Sequence, residues 1–363
     1  MELSEKNIVN SETKININSS MIILGRESRG INQKDLAEKL GLSQGTLSKI
    51  EMGLLPVSKE VLNGLSKELH YPPSFFSMEM EIYRGVSLHR KRLTLAQKKL
   101  NQIDAWSNIV RLHIHKLTEA IEINVNLPHI DENEIRTQSP NIVAQSLRAF
   151  WKVPKGTIKN MSALLEKNGI IVVPIDFGTK LIDGLSISFV DIPPIILINK
   201  NIPGDRYRFT LAHELGHLLL HTYPTETMEE EANLFASEFL TPEIEIKPYL
   251  DYPSIERLIE LKRYWKVSIA SLLVRAMQLN NITDRQYRYM WMKISKLGYK
   301  TKEPIDIPIE EPILLKQLFD YHIDQLEYNY KELAEFFSLF QDELVTNYLG
   351  YRKETTAHLS LVE

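Results

Sequence analysis

One stretch constrains this chain more than any other: Arg206-Tyr-Arg-Phe-Thr-Leu-Ala-His-Glu-Leu-Gly-His-Leu-Leu-Leu-His221. Helical periodicity resumes there, and it sets His213 and His217 four residues apart. On a helix, residues four apart share a face one turn apart, so the two imidazoles can converge on one zinc ion. Glu214 stands beside the first of them, placed to act on a metal-bound water rather than on the metal. This is the layout of a zinc peptidase: the ion acidifies water and polarises a carbonyl, and the carboxylate takes and relays the proton.

A catalytic zinc usually has three protein ligands and an open position. His221 lies eight residues from His213. On one continuous helix that is roughly 12 Å along the axis, too far for a shared ion. The next helical stretch, Glu229-Glu-Glu-Ala-Asn-Leu-Phe-Ala-Ser-Glu-Phe-Leu240, offers a carboxylate instead. Glu231 shares a face with Leu234, Phe235 and Glu238, so it is expected to point inward while Glu229 and Glu230 stay solvated. Burying an acid on an apolar stripe is costly unless it is paired or metal-bound. Glu231 is therefore the expected third ligand, with Glu238 a weaker substitute or a partner of the ligands. For the oxyanion, Tyr223, His221 and Arg206 are each possible donors, and Arg206 and Arg208 are equally suited to structural ion pairs.

The absence of cysteine removes disulfides, iron–sulfur clusters, cysteine zinc ribbons and a cysteine nucleophile, so any metal must be held by His, Asp or Glu. Imidazole ligands favour zinc-like ions over magnesium or calcium. The 363 residues have room for two or three domains, and the net charge of −4 excludes a uniformly basic coat for nucleic acid. No window approaches the roughly 18 apolar residues of a membrane span, and the N-terminus lacks an apolar signal core, which predicts a cytoplasmic protein.

Strand-type runs are confined to one region. Gly169-Ile-Ile-Val-Val-Pro, Leu185-Ser-Ile-Ser-Phe-Val and Pro194-Ile-Ile-Leu-Ile read as strands. A helix before them is expected to bury Val143, Ala144, Leu147, Phe150 and Trp151, and Thr157 to cap another that stops at Gly169. The chain is thus mainly α with a small β-sheet, an α+β fold. Between Tyr83 and Lys116 eight basic residues (Arg84, Arg90, Lys91, Arg92, Lys98, Lys99, Arg111, Lys116) face one acid, Asp104. From Lys300 onward thirteen acids outnumber six bases.

A second constellation lies near the N-terminus, in Gln33-Lys-Asp-Leu-Ala-Glu-Lys-Leu-Gly-Leu-Ser-Gln-Gly-Thr-Leu-Ser-Lys-Ile-Glu51. Ala37 is small enough for two helices to cross closely, Gly41 supplies the positive φ of a tight turn, and Ser43 is a good N-cap. Leu47 and Ile50 point inward, leaving Gln44, Thr46, Ser48 and Lys49, with Gln33 on the preceding helix, to face a DNA groove. An amide such as Gln44 suits adenine. The basic stretch that follows could add phosphate contacts through counterion release.

This segment, with Glu51-Met-Gly53 and Pro72-Pro-Ser-Phe-Phe76, resembles the XRE-type (Cro/C1) helix-turn-helix domain. The resemblance implies binding to a double-stranded, palindromic operator as a homodimer. The surroundings of the histidine motif resemble the ImmA/IrrE metallopeptidase family: Asp183-Gly-Leu-Ser186, Ile198-Asn199, Pro203-Gly-Asp-Arg206, the His213-to-His217 motif, Glu231-Ala-Asn-Leu-Phe-Ala236, Phe239-Leu-Thr-Pro242, Trp265-Lys-Val-Ser268 and Tyr287. That likeness implies His213, His217 and Glu231 as zinc ligands and Glu214 as the catalytic carboxylate. It also implies a zincin-like half-sheet whose Ser186-to-Val190 strand pairs with an extended substrate.

The expected layout is a helix-turn-helix domain over 19–77, a basic helical linker over 78–139, a metallopeptidase domain over 140–295 and an acidic helical segment over 296–363. The combination predicts a DNA-binding transcription regulator carrying a zinc endopeptidase that cleaves itself or a partner repressor. The alternative is a non-proteolytic repressor, or an antitoxin-like regulator, whose peptidase-like domain senses a ligand or only holds zinc.

Overall fold

The structure, a computed structural model, describes residues 17–79, 81–83, 95–130, 138–189 and 192–350. Arg84, Arg90, Lys91 and Arg92 of the basic stretch, Val190 of the expected substrate strand and the last residues of the acidic segment lie outside the described residues. The chain forms two compact units. The first takes in the N-terminal helices, Gln97–Ile109 and the described chain from Glu327, and the second takes in Val110–Leu326 where described.

In the first unit, α1 (Ser19–Ser28), α2 (Gln33–Lys39), α3 (Gln44–Glu51) and α4 (Lys59–Leu69) precede a 3-10 turn at Pro73–Ser77. The Ser43 cap, the Gly41 turn and the small Ala37 read from the sequence are in place. The Asn32, Ser43 and Ser58 side chains cap α2, α3 and α4. Gly41 leaves α2 at φ +67°, and Ala37 is buried between helices. Leu36, Leu47, Ile50, Leu62, Leu65, Phe75 and Phe76 close the core. The acidic C-terminal residues contribute to this unit through α15 (Tyr330–Phe337) and α16 (Gln341–Leu344). Glu343 pairs with Arg29 at 2.6 Å and Asp342 with His70 at 2.9 Å.

Helix α5 (Gln97–Thr118) is the longest among the described residues. Ile109, Val110, His113 and Leu117 are buried along one side of it. Trp106 stays partly exposed, and Ile121 falls beyond the helix end. Arg111, counted above as a base for phosphate, is buried with its guanidinium 5.1 Å from the Phe189 ring centre.

The second unit begins with α6 (Pro140–Phe150) and α7 (Met161–Lys167). Two local expectations need correction. Phe150, the last residue of α6 and at the margin of the Val143–Ala144–Leu147 stripe, is exposed. Asn160, not Thr157, caps α7, while Thr157 donates to the Trp265 carbonyl. The sheet comprises β1 (Ile171–Ile175), β2 (Gly184–Phe189) and β3 (Ile192–Asn199) in the order β1-β3-β2. β1 runs parallel to β3 and β2 antiparallel, which leaves β2 at a sheet edge.

Helix α8 (Gly204–Leu220) packs on β2 and β3, and α9 (Met228–Leu240) packs on α8 and α6. Beyond come α10 (Glu243–Ile246), α11 (Ile255–Trp265), α12 (Ile269–Gln278), α13 (Asp284–Lys296) and α14 (Leu314–Asp324). Phe235, Phe239, Leu211, Leu215, Leu258 and Leu272 share one core with the sheet.

Buried ion pairs tie the surrounding segments to this core. Arg275 pairs with Glu238, Lys262 with Asp205 and Glu303, and Arg208 with Glu310. Glu303 also accepts from the first amides of α12, so the chain between α13 and α14 is anchored at both ends. No described helix is long and apolar enough to cross a membrane.

Candidate metal centre and helix-turn-helix

Helix α8 carries the histidines one turn apart, as the spacing predicts, and their Nε2 atoms lie 3.0 Å from each other. Each ring's other nitrogen is engaged. His213 Nδ1 meets Asn233 Oδ1 at 3.0 Å and His217 Nδ1 meets His221 Nδ1 at 3.0 Å. A neutral imidazole has one N–H and one lone pair. A proton used toward the Asn233 carbonyl oxygen leaves the His213 Nε2 lone pair aimed at its neighbour. Two facing lone pairs repel unless a cation lies between them.

The third group is Glu229. Its carboxylate lies 3.7 Å from His213 Nε2 and 3.5 Å from His217 Nε2, and the three donors form the metal-type cluster found among the described residues. The structure turns Glu231 elsewhere: its carboxylate takes His221 Nε2 at 2.8 Å and the Thr227 hydroxyl at 2.8 Å. Helical phase explains the difference. Glu229 and Asn233 are four apart and meet the histidines together, whereas Glu231 sits about 200° round the helix from Glu229. The Glu229–Asn233 spacing equals that of the histidines, but spacing alone does not say which face of α9 turns toward them.

Glu238, the weaker substitute, is fully buried on the far side of α9, bound to Arg275, Gln145 and the Glu243 amide. His221 ends α8 as its C-cap and lies outside the cluster. Burial pulls the His221 pKa below its usual value, with its neighbours acting both ways. Burial pushes the Glu231 carboxyl upward, but the His221 and Thr227 hydrogen bonds outweigh it and hold the group below the usual range.

Glu214 is buried on the sheet side of α8. A Cβ on Gly184 would come within 3.1 Å of Glu214 Oε1 and 2.6 Å of Thr210 Cγ2. Glycine at the start of β2 is what lets the edge strand and this carboxylate approach so closely. Of the oxyanion candidates, Arg206 bonds Asp183 at 2.6 Å and Tyr223 is 71% exposed. Arg208 is committed to Glu310 and the Ile158 carbonyl.

In the helix-turn-helix, Gln44 and Lys49 are exposed, while Gln33, Thr46 and Ser48 are half-buried. Gln33 donates to Glu51 at 2.8 Å and accepts from Gln44 at 3.4 Å. Glu51 in turn is gripped by Arg26 at 2.7 Å. The Thr46 hydroxyl bonds Ser43 at 2.8 Å.

These features define a chain with an N-terminal helix-turn-helix and, in its second unit, a His/Glu cluster of metal-binding type. Comparison with known families agrees on both parts. Residues 22–76 match the helix-turn-helix family and residues 165–277 match the IrrE N-terminal-like domain of the M78 peptidases, so the chain carries one domain of each kind. No curated protein matches the chain. Among solved structures, a likeness is found to Bacillus thuringiensis PlcR in complex with the peptide PapR7 and DNA. It has 15% identity and a TM-score of 0.17, and it covers 93% of this chain and 98% of that one.

Proposed function

We propose that this protein is a DNA-binding transcription regulator whose second unit is a zinc-dependent endopeptidase. The observation that carries the enzymatic half is the convergence of two imidazole lone pairs and a carboxylate beside a buried glutamate. His213, His217 and Glu229 would hold the ion, a donor set suited to zinc with a position left open. When bound, zinc supplies Lewis acidity toward a peptide carbonyl and acidifies water. Glu214 takes the proton of the attacking water and returns it to the leaving amine. An extended peptide adds to the β2 edge, its backbone pairing with the strand that begins at Gly184.

The DNA-binding half rests on the exposed start of α3. Gln44, buttressed by Gln33 and through it by Glu51 and Arg26, presents an amide to a base edge, and Lys49 presents a charge to phosphate. Ser48 and Thr46 flank them, and a homodimer on a palindromic operator follows from this mode of reading. The peptidase substrate is a protein, either a partner repressor or this chain itself, in a cytoplasmic setting.

Replacing Glu214 with Gln tests the enzymatic reading. The variant should still bind zinc and operator DNA, while cleavage of the substrate and the induced transcriptional response are lost. A response that survives unchanged would overturn the catalytic reading in favour of a regulator that only holds zinc.

A further inference from the structure

His217 Nδ1 is engaged by a row of groups behind the ring. His221 Nδ1 lies 3.0 Å from His217 Nδ1, His221 Nε2 lies 2.8 Å from Glu231 Oε2, and the Thr227 hydroxyl donates to Glu231 Oε1 at 2.8 Å. The His221 side chain is only 3% exposed. The proton positions along this row are set by its far end. An ionised carboxylate can only accept, so the proton between Glu231 and His221 sits on His221 Nε2. His221 Nδ1 is then a lone pair and must accept, so His217 Nδ1 carries its ring's proton. His217 Nε2 is left bare, facing His213 and Glu229.

We infer that His221 and Glu231 are positioning residues, which lock His217 in the one tautomer and orientation that can bind metal. The inference rests on the metal centre proposed above and assigns a task to two residues that do not reach the ion. It requires the chain to leave helical geometry where it does. His221 is the C-cap of α8, with φ −128° and ψ 91°. Glu231 enters from α9, whose first turn is fixed by Thr227, so the row joins the two helices of the site. Asn233 performs the matching task for His213 with a single hydrogen bond.

The test measures zinc affinity of the full chain by competition with a chromophoric chelator, alongside the visible absorption spectrum of the cobalt-loaded protein. Groups that orient a ligand imidazole typically contribute about 10- to 100-fold in metal affinity. His221→Leu and Glu231→Ala should each weaken zinc binding within that range and alter the cobalt spectrum. His221→Asn, whose amide oxygen can still accept from His217 Nδ1, should recover most of the loss. Glu231→Gln, which keeps an acceptor, should stay close to wild type. Glu229→Ala should be the most damaging of the set.

Circular dichroism of the metal-free variants checks that each folds. Unchanged affinity and spectrum in folded His221→Leu would overturn the proposal. So would Glu231→Ala abolishing binding outright while Glu229→Ala binds normally, since Glu231 would then be a ligand. Failure of the wild-type chain to bind zinc would remove the metal centre itself, an outcome seen without any variant.

Discussion

The Nε2 atoms of His213 and His217 approach to 3.0 Å while Asn233 and His221 occupy the opposite nitrogens of the two rings. Such a pair is preorganised for a cation, and binding to the folded state alone stabilises it by mass action. Zinc at a hundred times its dissociation constant should add about 2.7 kcal/mol. Thermal unfolding with and without a strong chelator reads this directly. Equal midpoints in zinc and in chelator would argue against the site.

Glu214 and Gly184 form a second close pair, across the junction of α8 and the edge strand. Gly184→Ala places a methyl group against the carboxylate and against Thr210. Peptide hydrolysis should fall while zinc content stays near one per chain. Glu214→Gln should lower the rate by roughly 100- to 10,000-fold, the usual contribution of a general base. Metal analysis and cleavage of an unstructured protein substrate separate these effects.

Glu238 and Arg275 are both buried and paired with each other. Glu238→Ala leaves a guanidinium without its counter-charge in the core, which should cost about 3–5 kcal/mol in urea unfolding. The double variant Glu238→Gln with Arg275→Met removes both charges and should recover much of that loss. If the single variant is as stable as wild type, the pair contributes nothing to this core.

For operator binding, Lys49 and Gln44 should behave differently. Lys49→Ala should weaken binding to all sequences and reduce the salt slope by about 1, as loss of a phosphate contact does. Gln44→Ala should cost about 1–3 kcal/mol at one base position and relax the preference there. Binding isotherms at several salt concentrations, on operator and scrambled DNA, distinguish the two patterns.

Tyr71 gives the first unit an alkaline limit. Burial pushes its phenol up from 10.0 to about 12, with Arg29 and Ser28 partly opposing the shift, and burial also raises Tyr207 and Tyr348. A folded-state pKa above the unfolded value favours the protonated form in the native protein. The stability tied to Tyr71 is therefore complete below pH 10 and lost as pH climbs toward 12. Of the 15 tyrosines, these three should ionise last in an absorbance titration at alkaline pH. Ionisation of all of them together, near the ordinary value and without unfolding, would contradict the buried placement.

Much of the architecture was legible in local signals. The Ser43 cap, the Gly41 turn, the Gly169 stop at φ +80° and the three strand-type runs all appear where sequence chemistry puts them. These features depend on neighbours a few residues away, so a linear reading reaches them. Thr157 does not cap α7 because Asn160 stands directly before its first turn, and Phe150 is exposed at the last residue of α6, where a helical pattern no longer decides what covers a side chain.

The sequence by itself determined that His213 and His217 share a helical face and that Glu214 stands beside them. It also determined that a helix-turn-helix precedes them, because spacing, caps and turn residues act over one or two turns of chain. Only the tertiary structure decided which carboxylate faces the histidines. Glu229 and Glu231 are nearly adjacent in the chain, and both lie in the first turn of α9. Their roles separate only when α9 docks on α8, where Gly216 admits Ala232 and Phe235 closely and so sets the rotation of one helix against the other. That rotation depends on packing between elements, which no local pattern specifies.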